Sequence, residues 1–432
     1  MDFYKLRKRH PEFIYESFKY GYKDNTLQIK FHFRITPDID FFPTIKIPVD
    51  KQTPTDLDNL IFHLGLAEMP SYWKASCSPK ITINAGGLTK KQAIWWKKLL
   101  INGLGEFFYV NNIDFRQKNF LNITSKNETY SIQDNNKAEG DLILISGGKD
   151  SAVVTQLLKP KNALCLNPTP AALEIIKASK IKNFIRVKRT IDPLLIQLNK
   201  KGYLNGHTPF SAYLAFLSVL VARLWGFKNV IVGNEKSASE ANFKYLGLSV
   251  NHQYSKSYEF ESLFRQYCQN CLSKKINYFS FLRPLNELQI AALFASTNKY
   301  DRLFKSCNVG RGAFWCGECA KCAFVYLIFY GLLDEKRRKE IFGEKEFFKN
   351  KKIKQHIKDL TGEGRHKPLD CVGTEEESKI ALKLAGMDPL GEISKKNREK
   401  IIERIKKDWH KEHFLPKKYE KILKTKMNFL TI

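Results

Sequence analysis

The chain has 432 residues, of which 43% are hydrophobic and 13% aromatic, and this composition excludes a disordered protein. Its length suffices for two or three domains with hydrophobic cores of their own. The formal net charge of +28 suggests an anionic partner, but the lysines are spread over the whole chain. We therefore rank a solvated surface first, an anionic substrate second and nucleic acid third.

The start of the chain is basic, with no apolar run behind it, so we expect no secretory signal. Nine cysteines without such a signal favour reduced thiols and metal binding over disulfides, which predicts a cytoplasmic protein. The longest apolar stretch, residues 210–227, contains Arg223 and is short for a membrane span. We expect a buried helix there and no association with a membrane.

An N-terminal α+β domain is predicted for residues 1–135. Residues 26–35 alternate between apolar and polar side chains like a half-buried strand, and residues 44–48 could pair with them. Residues 88–104 have the pattern of an amphipathic helix.

Two further segments of this region are less regular. Residues 64–81 are dense in aromatic and small side chains, and core packing is the default explanation. Four of these residues could also border a ligand: Tyr72, Trp73, Lys74 and Cys77. The polar residues 124–140 are predicted to be a linker.

From residue 141 the pattern becomes an alternation of strands and helices, which is typical of a parallel sheet with right-handed crossovers. Strands are predicted at residues 142–145, 162–168, 182–189 and 229–232. A long helix is predicted to run to Arg223, with His207 and Thr208 near its start and Pro209 at its first position. The fold class is therefore α/β, with a Rossmann-like nucleotide domain over residues 141–305.

The first of these strands ends at the sequence SGGKDS, residues 146–151. Two glycines allow backbone N–H groups to point inward together, and the helix that follows directs its positive end to the same place. This arrangement predicts an anion site. The motif matches neither the ordinary P-loop nor the dinucleotide-binding fingerprint, and a plain strand-turn-helix corner is the alternative without function.

The motif resembles the loop of the PP-loop ATP pyrophosphatases, which split ATP into AMP and pyrophosphate. This resemblance implies a loop that holds the phosphates of ATP, with Asp150 near a magnesium ion. The residues that it places on ATP are Ser146, Gly147, Gly148, Asp150 and Ser151.

A second polar segment follows the strand at residues 229–232. Ligands of open α/β sheets bind at the carboxyl ends of the strands, which is where Asn234 and Glu235 fall. Residues 250–257, VNHQYSKS, add the imidazole of His252, two amides and the ammonium group of Lys256. A solvated loop is the alternative, but this density of donors and acceptors favours a functional site.

Four cysteines have the spacing C-x8-C-x2-C-x2-C: Cys307, Cys316, Cys319 and Cys322. This spacing predicts a structural zinc site with four thiolates and no open position, and an iron–sulfur cluster is the chemical alternative. Cys268 and Cys271 form another C-x2-C step without a partner pair, so we expect them to pack in a core.

The zinc knuckle is predicted to open a C-terminal helical region, residues 306–432. An amphipathic helix is expected over residues 323–339, and lysine-rich helices are expected towards the end of the chain. Between them, residues 365–378 read as a loop that carries four polar side chains: His366, Lys367, Asp370 and Cys371.

These motifs together resemble the UDP-N-acetylmuramoyl-L-alanyl-L-glutamate epimerases, bacterial cell-wall enzymes. The resemblance rests on SGGKDS, on the cysteine cluster and on six further segments: residues 64–81, 95–115, 205–216, 232–243, 250–257 and 366–373. The insertion-like Ser239 and Glu240 depart from the pattern and affect the alignment of Asn242. The zinc spacing is also similar to that of 7-cyano-7-deazaguanine synthase, but that family begins almost at its loop.

The resemblance implies an ATP-dependent reaction with magnesium. Adenylation of the glutamate carboxylate makes its Cα proton acidic, a base removes that proton, reprotonation from the other face gives D-glutamate, and hydrolysis releases AMP. Lys149, Lys256 and Arg311 are candidates for the cationic groups that bind the carboxylate and the UDP. Asn234 and Glu235 could hold magnesium or the substrate amide.

Imidazole and thiol groups have suitable pKa values for the proton transfers. His252 is the first candidate, followed by His207, His366 and Cys371, and Lys149 is added as a cationic catalytic group. Two other functions remain open at this point. One is a PP-loop enzyme that modifies a nucleobase or tRNA, and the other is a zinc-stabilised interaction protein with an inactive nucleotide fold.

Overall fold

We analysed a computed structural model of the chain, which describes residues 2–49, 56–134, 137–387, 394–428 and 430. The described residues form thirteen strands and seventeen α-helices. The strands are β1 Glu12–Lys23, β2 Thr26–Ile35, β3 Ile39–Phe41, β4 Thr44–Pro48, β5 Lys80–Gly87, β6 Asn122–Lys126, β7 Asp141–Leu144, β8 Asn162–Leu166, β9 Asn183–Thr190, β10 Asn229–Val232, β11 Phe243–Tyr245, β12 Leu248–Val250 and β13 Asn277–Ser280.

The helices alternate with the strands in the middle of the chain and follow one another near its C-terminal end. They are α1 Phe3–Arg9, α2 Asp58–Glu68, α3 Pro70–Trp73, α4 Lys90–Gly103, α5 Gly105–Val110, α6 Lys149–Leu158, α7 Pro170–Ala178, α8 Pro193–Lys200, α9 Phe210–Trp225, α10 Tyr258–Tyr267, α11 Glu287–Ala295, α12 Ala320–Tyr330, α13 Glu335–Phe342, α14 Lys351–Leu360, α15 Glu375–Leu384, α16 Lys395–Lys407 and α17 Lys417–Asn428. Within the described residues, none of these helices combines the length and apolarity that a membrane crossing requires.

One half of the main sheet is parallel, as the sequence predicts. Its strand order is β13-β10-β7-β8-β9, and each neighbouring pair runs in the same direction. Adjacent residues of one strand belong to different hydrophobic clusters: Leu142 packs in one and Ile143 in the other. Both faces of this half are therefore covered, which explains the unbroken apolar runs of its strands.

The N-terminal strands extend the same sheet rather than forming another. β4 pairs antiparallel with β9, where Thr44 lies opposite Thr190, and the order continues as β4-β2-β1-β5-β6, with β3 also paired to β2. The predicted pairing of residues 26–35 with 44–48 is confirmed. The predicted α/β fold class is also confirmed. The structure has the parallel sheet with its helices, the additional N-terminal strands, the four-cysteine cluster and the C-terminal helices.

Three local predictions differ from the structure. Residues 323–339 form the end of α12 and the start of α13, separated by a turn at Gly331, because α12 is buried on all sides and has no amphipathic face. Pro209 is the N-cap residue of α9 and not its first helical residue. Residues 124–126, the start of the predicted linker 124–140, belong to the edge strand β6, which pairs with β5.

Candidate active site

The glycine loop, residues 146–151, connects β7 to α6 at the carboxyl end of the parallel strands. Gly147 has φ +94°, and a Cβ on it would lie 2.7 Å from the backbone nitrogen of Ala172. Only glycine fits this turn without strain. The turn is closed by the backbone N–H of Ser146, which donates to Oγ of Ser151 at 2.9 Å.

The first turn of α6 is open to an anion. Gly148 is its N-cap residue and has no side chain to accept from the free backbone N–H groups. These N–H groups, together with the positive end of the helix, suit a phosphate. The geometry that the sequence predicts for Ser146, Gly147, Gly148 and Ser151 is therefore present, while their contact with ATP stays a prediction.

Lys149 points away from solvent and is 1% exposed. Its ammonium group forms ion pairs with Asp150 in the same loop and with Glu287 in the first turn of α11. Burial disfavours this charge, but the two carboxylates outweigh it and raise the pKa of Lys149. Lys149 thus organises acidic groups beneath the loop, which makes it a weaker candidate for direct proton transfer.

A buried chain of hydrogen bonds continues from Glu287. The backbone N–H of Glu287 donates to Oε1 of Glu377 at 2.8 Å, and Oγ of Ser237 donates to the same oxygen at 2.5 Å. The backbone N–H of Thr374 donates to Oε2 of Glu377 at 2.6 Å and closes a capping box at the start of α15. This chain joins the base of the glycine loop to the segment that carries Cys371.

The polar residues after β10 lie beside the same loop. Glu235 is buried, and burial together with the charge of Asp150 raises its pKa. Asn234 donates from Nδ2 to Oγ of Ser280 at 3.2 Å. The lysines around Asp150, Lys149 first, outweigh its burial and lower the pKa of this half-buried carboxyl group, so it is ionised beside Glu235. Neighbouring carboxylates fit a divalent cation, because a hard cation takes oxygen ligands and removes their repulsion. Asp150 and Glu235 could therefore hold the predicted magnesium.

Cys371 and His252 form the centre of a second cluster. Sγ of Cys371, a ring nitrogen of His252 and a carboxylate oxygen of Asp370 lie within 4.8 Å of one another. Lys256 donates from Nζ to Sγ of Cys371 at 3.3 Å. Nδ1 of His252 is hydrogen-bonded to Oε2 of Glu106, at 2.5 Å. The sequence predicted most of these residues separately, and the fold brings them together.

The charges in this cluster prepare a thiolate. Burial disfavours ionisation of Cys371, but the positive charges of Lys256 and His252 outweigh it and lower the pKa of the thiol to about 6. Burial also disfavours the imidazolium form of His252, yet hydrogen bonds with Cys371 and Glu106 raise its pKa to about 10. Near neutral pH the pair is therefore a thiolate beside an imidazolium.

His207 completes one wall of the cluster. Its ring centroid lies 4.2 Å from that of His252, and its ring nitrogen is within 4.8 Å of ligand atoms of His252 and Glu106. Burial, followed by the charges of His252, Lys74 and Lys256, lowers the pKa of His207 to about 3. A histidine with this pKa is neutral at pH 7, so it lacks the acidic imidazolium proton that a general acid would donate.

The four cysteines of the knuckle converge on one point. Their sulfur atoms all lie within 4.8 Å of one another, with Cys307 Sγ 4.0 Å from Cys319 Sγ and Cys316 Sγ 3.7 Å from Cys322 Sγ. Tetrahedral zinc with Zn–S bonds of about 2.3 Å requires sulfur separations of about 3.8 Å. The donor set therefore fits a closed structural metal site.

The knuckle supports both parts of the site. Lys321, in the first turn of α12 between Cys319 and Cys322, donates to the carbonyl oxygen of Cys371. On the other side, the backbone N–H of Lys305 donates to the carbonyl oxygen of Gly147 at 3.0 Å. A metal in the knuckle would thus fix the glycine loop relative to Cys371.

Two of the sequence candidates lie apart from these contacts. His366 packs its ring against Phe243 and Tyr109, and its Nδ1 is hydrogen-bonded to the carbonyl oxygen of the adjacent Lys367. Arg311 is exposed, on a turn whose next residue, Gly312, accepts from the backbone N–H of Ala171 at the start of α7.

Sequence reasoning missed four residues of the site: Glu106, Glu287, Lys321 and Glu377. Of these, Glu106 could have been found from the sequence, since it lies in the segment 95–115 on which the family resemblance rests. The other three are ordinary charged residues near the starts of helices, and their role follows from burial in the fold.

A cleft of about 1330 Å³ lies next to this site, between residues 236–259 and α16. Ser237 and Glu377 contribute to its wall, but neither the glycine loop nor Cys371 does. Three of its basic side chains are paired with acidic ones: Arg404 with Glu376 at 3.2 Å, Lys407 with Glu403 at 2.7 Å, and Lys236 with Asp408 at 3.4 Å. The cleft therefore has little net attraction for a diphosphate.

Comparison with known proteins decides the family. Residues 5–281 match the family model of the MurL N-terminal domain, and residues 293–418 match that of the MurL C-terminal domain. The chain belongs to the MurL family. The MurL N-terminal match includes both the antiparallel strands and the glycine loop, and the domain boundary near residue 135 stays a prediction.

Three curated relatives of this MurL-family chain are named UDP-N-acetyl-alpha-D-muramoyl-L-alanyl-L-glutamate epimerase. The protein of Salinispora tropica is 30% identical over 402 residues, which cover 88% of this chain and 86% of the relative. Those of a Micromonospora species and of Xanthomonas oryzae pv. oryzae are 32% and 31% identical, over 80% and 72% of this chain and 79% and 71% of the relatives. No solved structure gives a significant match. The resemblance drawn from the sequence motifs is confirmed.

Proposed function

We propose that the protein inverts the terminal L-glutamate of UDP-N-acetylmuramoyl-L-alanyl-L-glutamate to D-glutamate in peptidoglycan precursor synthesis, and that it uses ATP to do so. The names of the three relatives support the substrate. The observation that supports the mechanism is a buried hydrogen-bond chain from Glu287, the partner of Lys149 in the glycine loop, through Glu377 to Thr374, three residues after Cys371.

Activation comes first because a carboxylate strongly disfavours loss of the neighbouring Cα proton. An oxygen of the α-carboxylate attacks the α-phosphorus of ATP, and pyrophosphate leaves. The N–H groups at the start of α6 would hold the phosphates, and Asp150 with Glu235 would hold magnesium, which neutralises charge on the leaving pyrophosphate. The product is an acyl-adenylate without the carboxylate charge.

Proton transfer follows at Cα of the acyl-adenylate. The thiolate of Cys371 removes the proton, and the electron pair is delocalised into the activated carbonyl group. Lys256, 3.3 Å from Sγ, keeps the thiol ionised between turnovers. The carbanion is reprotonated on the other face, and water then attacks the carbonyl carbon, which releases AMP and the UDP-muramoyl dipeptide that now ends in D-glutamate.

The test is incubation of the protein with Mg·ATP and the UDP-muramoyl dipeptide, with measurement of AMP, pyrophosphate and the configuration of glutamate after acid hydrolysis. We expect AMP, pyrophosphate and D-glutamate to form together and only with the dipeptide present. AMP formation that depends instead on tRNA or a deazaguanine would refute the assignment in favour of nucleobase modification. Absence of any turnover would favour an interaction protein.

A further inference from the structure

Inversion at a carbon atom requires proton carriers on both of its faces. Two such groups each lie about 3 Å from the carbon, so they stand about 6 Å apart with the carbon between them. Cys371 and His252 do not meet this condition, because their Sγ and ring nitrogen lie within 4.8 Å of one another and they share a hydrogen bond. They act as one unit on one face, and the opposite face needs another donor.

The other groups around Cys371 are unsuited to that role. Lys256 contacts Sγ directly, so it belongs to the same face. Glu106 is occupied by its 2.5 Å hydrogen bond with His252. His207 is neutral at pH 7 because burial and the surrounding cations lower its pKa to about 3.

Lys74 is a buried lysine to which the mechanism gives no role. It follows α3 and is 8% exposed, and its Nζ donates to the carbonyl oxygen of Gly206 at 2.6 Å. Within the described residues, no carboxylate forms an ion pair with it. Buried ammonium groups are normally paired with an acid, so an unpaired one next to a catalytic cluster calls for a substrate group.

A row of contacts joins Lys74 to the cluster that contains Cys371. Gly206 precedes His207, whose ring packs against that of His252 at a centroid distance of 4.2 Å and an interplanar angle of 40°, and His252 in turn lies beside Cys371. Lys74 and Cys371 therefore stand at opposite ends of this row of contacts. Burial, followed by the nearby charge of Arg189, lowers the pKa of Lys74 to about 8, so the amine is mostly protonated at pH 7 and gives up its proton readily.

We propose that Lys74 is the second proton carrier of the epimerisation, an inference that rests on the proposed function. The thiolate of Cys371 takes the proton from Cα of the L-acyl-adenylate, and the C–H bond on that face breaks. The ammonium group of Lys74 gives a proton to the opposite face, where the new C–H bond forms. The thiol and the neutral amine then regain their charges by proton exchange with water.

The test separates exchange from inversion with the full-length protein in deuterated water, supplied with Mg·ATP and the L-glutamate substrate. Wild-type protein is expected to give D-glutamate with one deuterium at Cα, while the remaining L-substrate stays unlabelled at early times. Lys74→Arg keeps a cation and a donor for the Gly206 carbonyl, and Lys74→Gln keeps a donor only. In both variants we expect AMP formation to persist, deuterium to enter recovered L-glutamate, and inversion to fall at least about 100-fold.

The matched control is Lys80→Gln, which removes an exposed lysine paired with Glu12 on the neighbouring strand and should leave inversion unchanged. Variants that invert within about threefold of the wild-type rate would overturn the proposal. Loss of exchange together with inversion, while AMP still forms, would also overturn it and leave Lys74 as a binding group. If neither variant folds, the wild-type protein alone still tests the proposal. Deuterium at Cα of the unconverted L-substrate at early times would show that one group serves both faces, which would refute a second proton carrier. A wild-type protein that forms no AMP would instead refute the proposed function.

Discussion

Replacement of Lys256 by methionine should raise the pKa of Cys371 by more than one unit. The charge of Lys256 is the largest favourable contribution to a thiol pKa of about 6, and methionine keeps the volume of the side chain while removing that charge. An ordinary cysteine has a pKa of about 8.5. At pH 6 the thiolate fraction should fall from about one half to about one tenth for a shift of one unit, and further for a larger shift.

The assay is the pH dependence of iodoacetamide labelling, followed by mass spectrometry of the peptide that contains Cys371. Because a thiolate of higher pKa is intrinsically more nucleophilic, the midpoint of the profile is a cleaner measure than the rate. The direction of the pH dependence is that of an acid whose pKa is lowered in the folded protein. The reactive thiolate is fully present well above pH 6 in the wild type and is lost as the pH falls through about 6, so turnover should fall over the same range.

Lys244→Met is the matched control, since Lys244 is exposed on β11 in the same polar segment. It should leave the labelling midpoint near 6. The reasoning is refuted if the wild-type midpoint lies near 8.5, or if Lys256→Met leaves it unchanged. Cys77, Cys165 and Cys268 should label slowly at neutral pH in all variants, because burial raises the pKa of each to about 12.

Three other perturbations test the supports of the site. Gly147→Ala places a methyl group 2.7 Å from the nitrogen of Ala172 at φ +94°, so the KM for ATP should rise at least about tenfold; an unchanged KM would show that the loop does not hold the nucleotide. Cys322→Ser should release bound metal and lower the midpoint of thermal unfolding by roughly 10 °C, measured by metal analysis and calorimetry. An unchanged midpoint would contradict a structural metal at this site. Glu287→Gln removes one of the two carboxylates that pair with Lys149 and should cost about 1–3 kcal/mol in urea unfolding, whereas exposed Glu335→Gln should cost almost nothing.

The parts of this fold that the sequence predicts are those that depend on local patterns. The apolar run before SGGKDS predicts β7 because that strand is buried on both faces, and two C-x2-C steps predict a metal knuckle because their spacing alone brings sulfur atoms together. The prediction of one amphipathic helix over residues 323–339 was wrong, because α12 is apolar on all sides and packing at Gly331 determines where it ends.

The candidate site depends on contacts between distant parts of the chain. The hydrogen bond between His252 and Glu106 joins residues 146 positions apart, and that between Lys74 and Gly206 joins residues 132 positions apart. Neither the periodicity nor the motif spacing of the sequence predicts contacts between residues so far apart in the chain. The residue types of His252 and Cys371 made them candidates, but only the fold shows that their ring nitrogen and Sγ lie within 4.8 Å of one another.

The most direct test of the account follows the oxygens of the α-carboxylate. A UDP-muramoyl dipeptide with ¹⁸O in the α-carboxylate of its terminal L-glutamate is converted with unlabelled Mg·ATP in unlabelled water, and AMP is analysed by mass spectrometry. Activation as an acyl-adenylate, followed by attack of water on the carbonyl carbon, predicts one ¹⁸O atom in each AMP for each D-glutamate formed. D-glutamate that appears while both labelled oxygens remain on the amino acid would contradict the account.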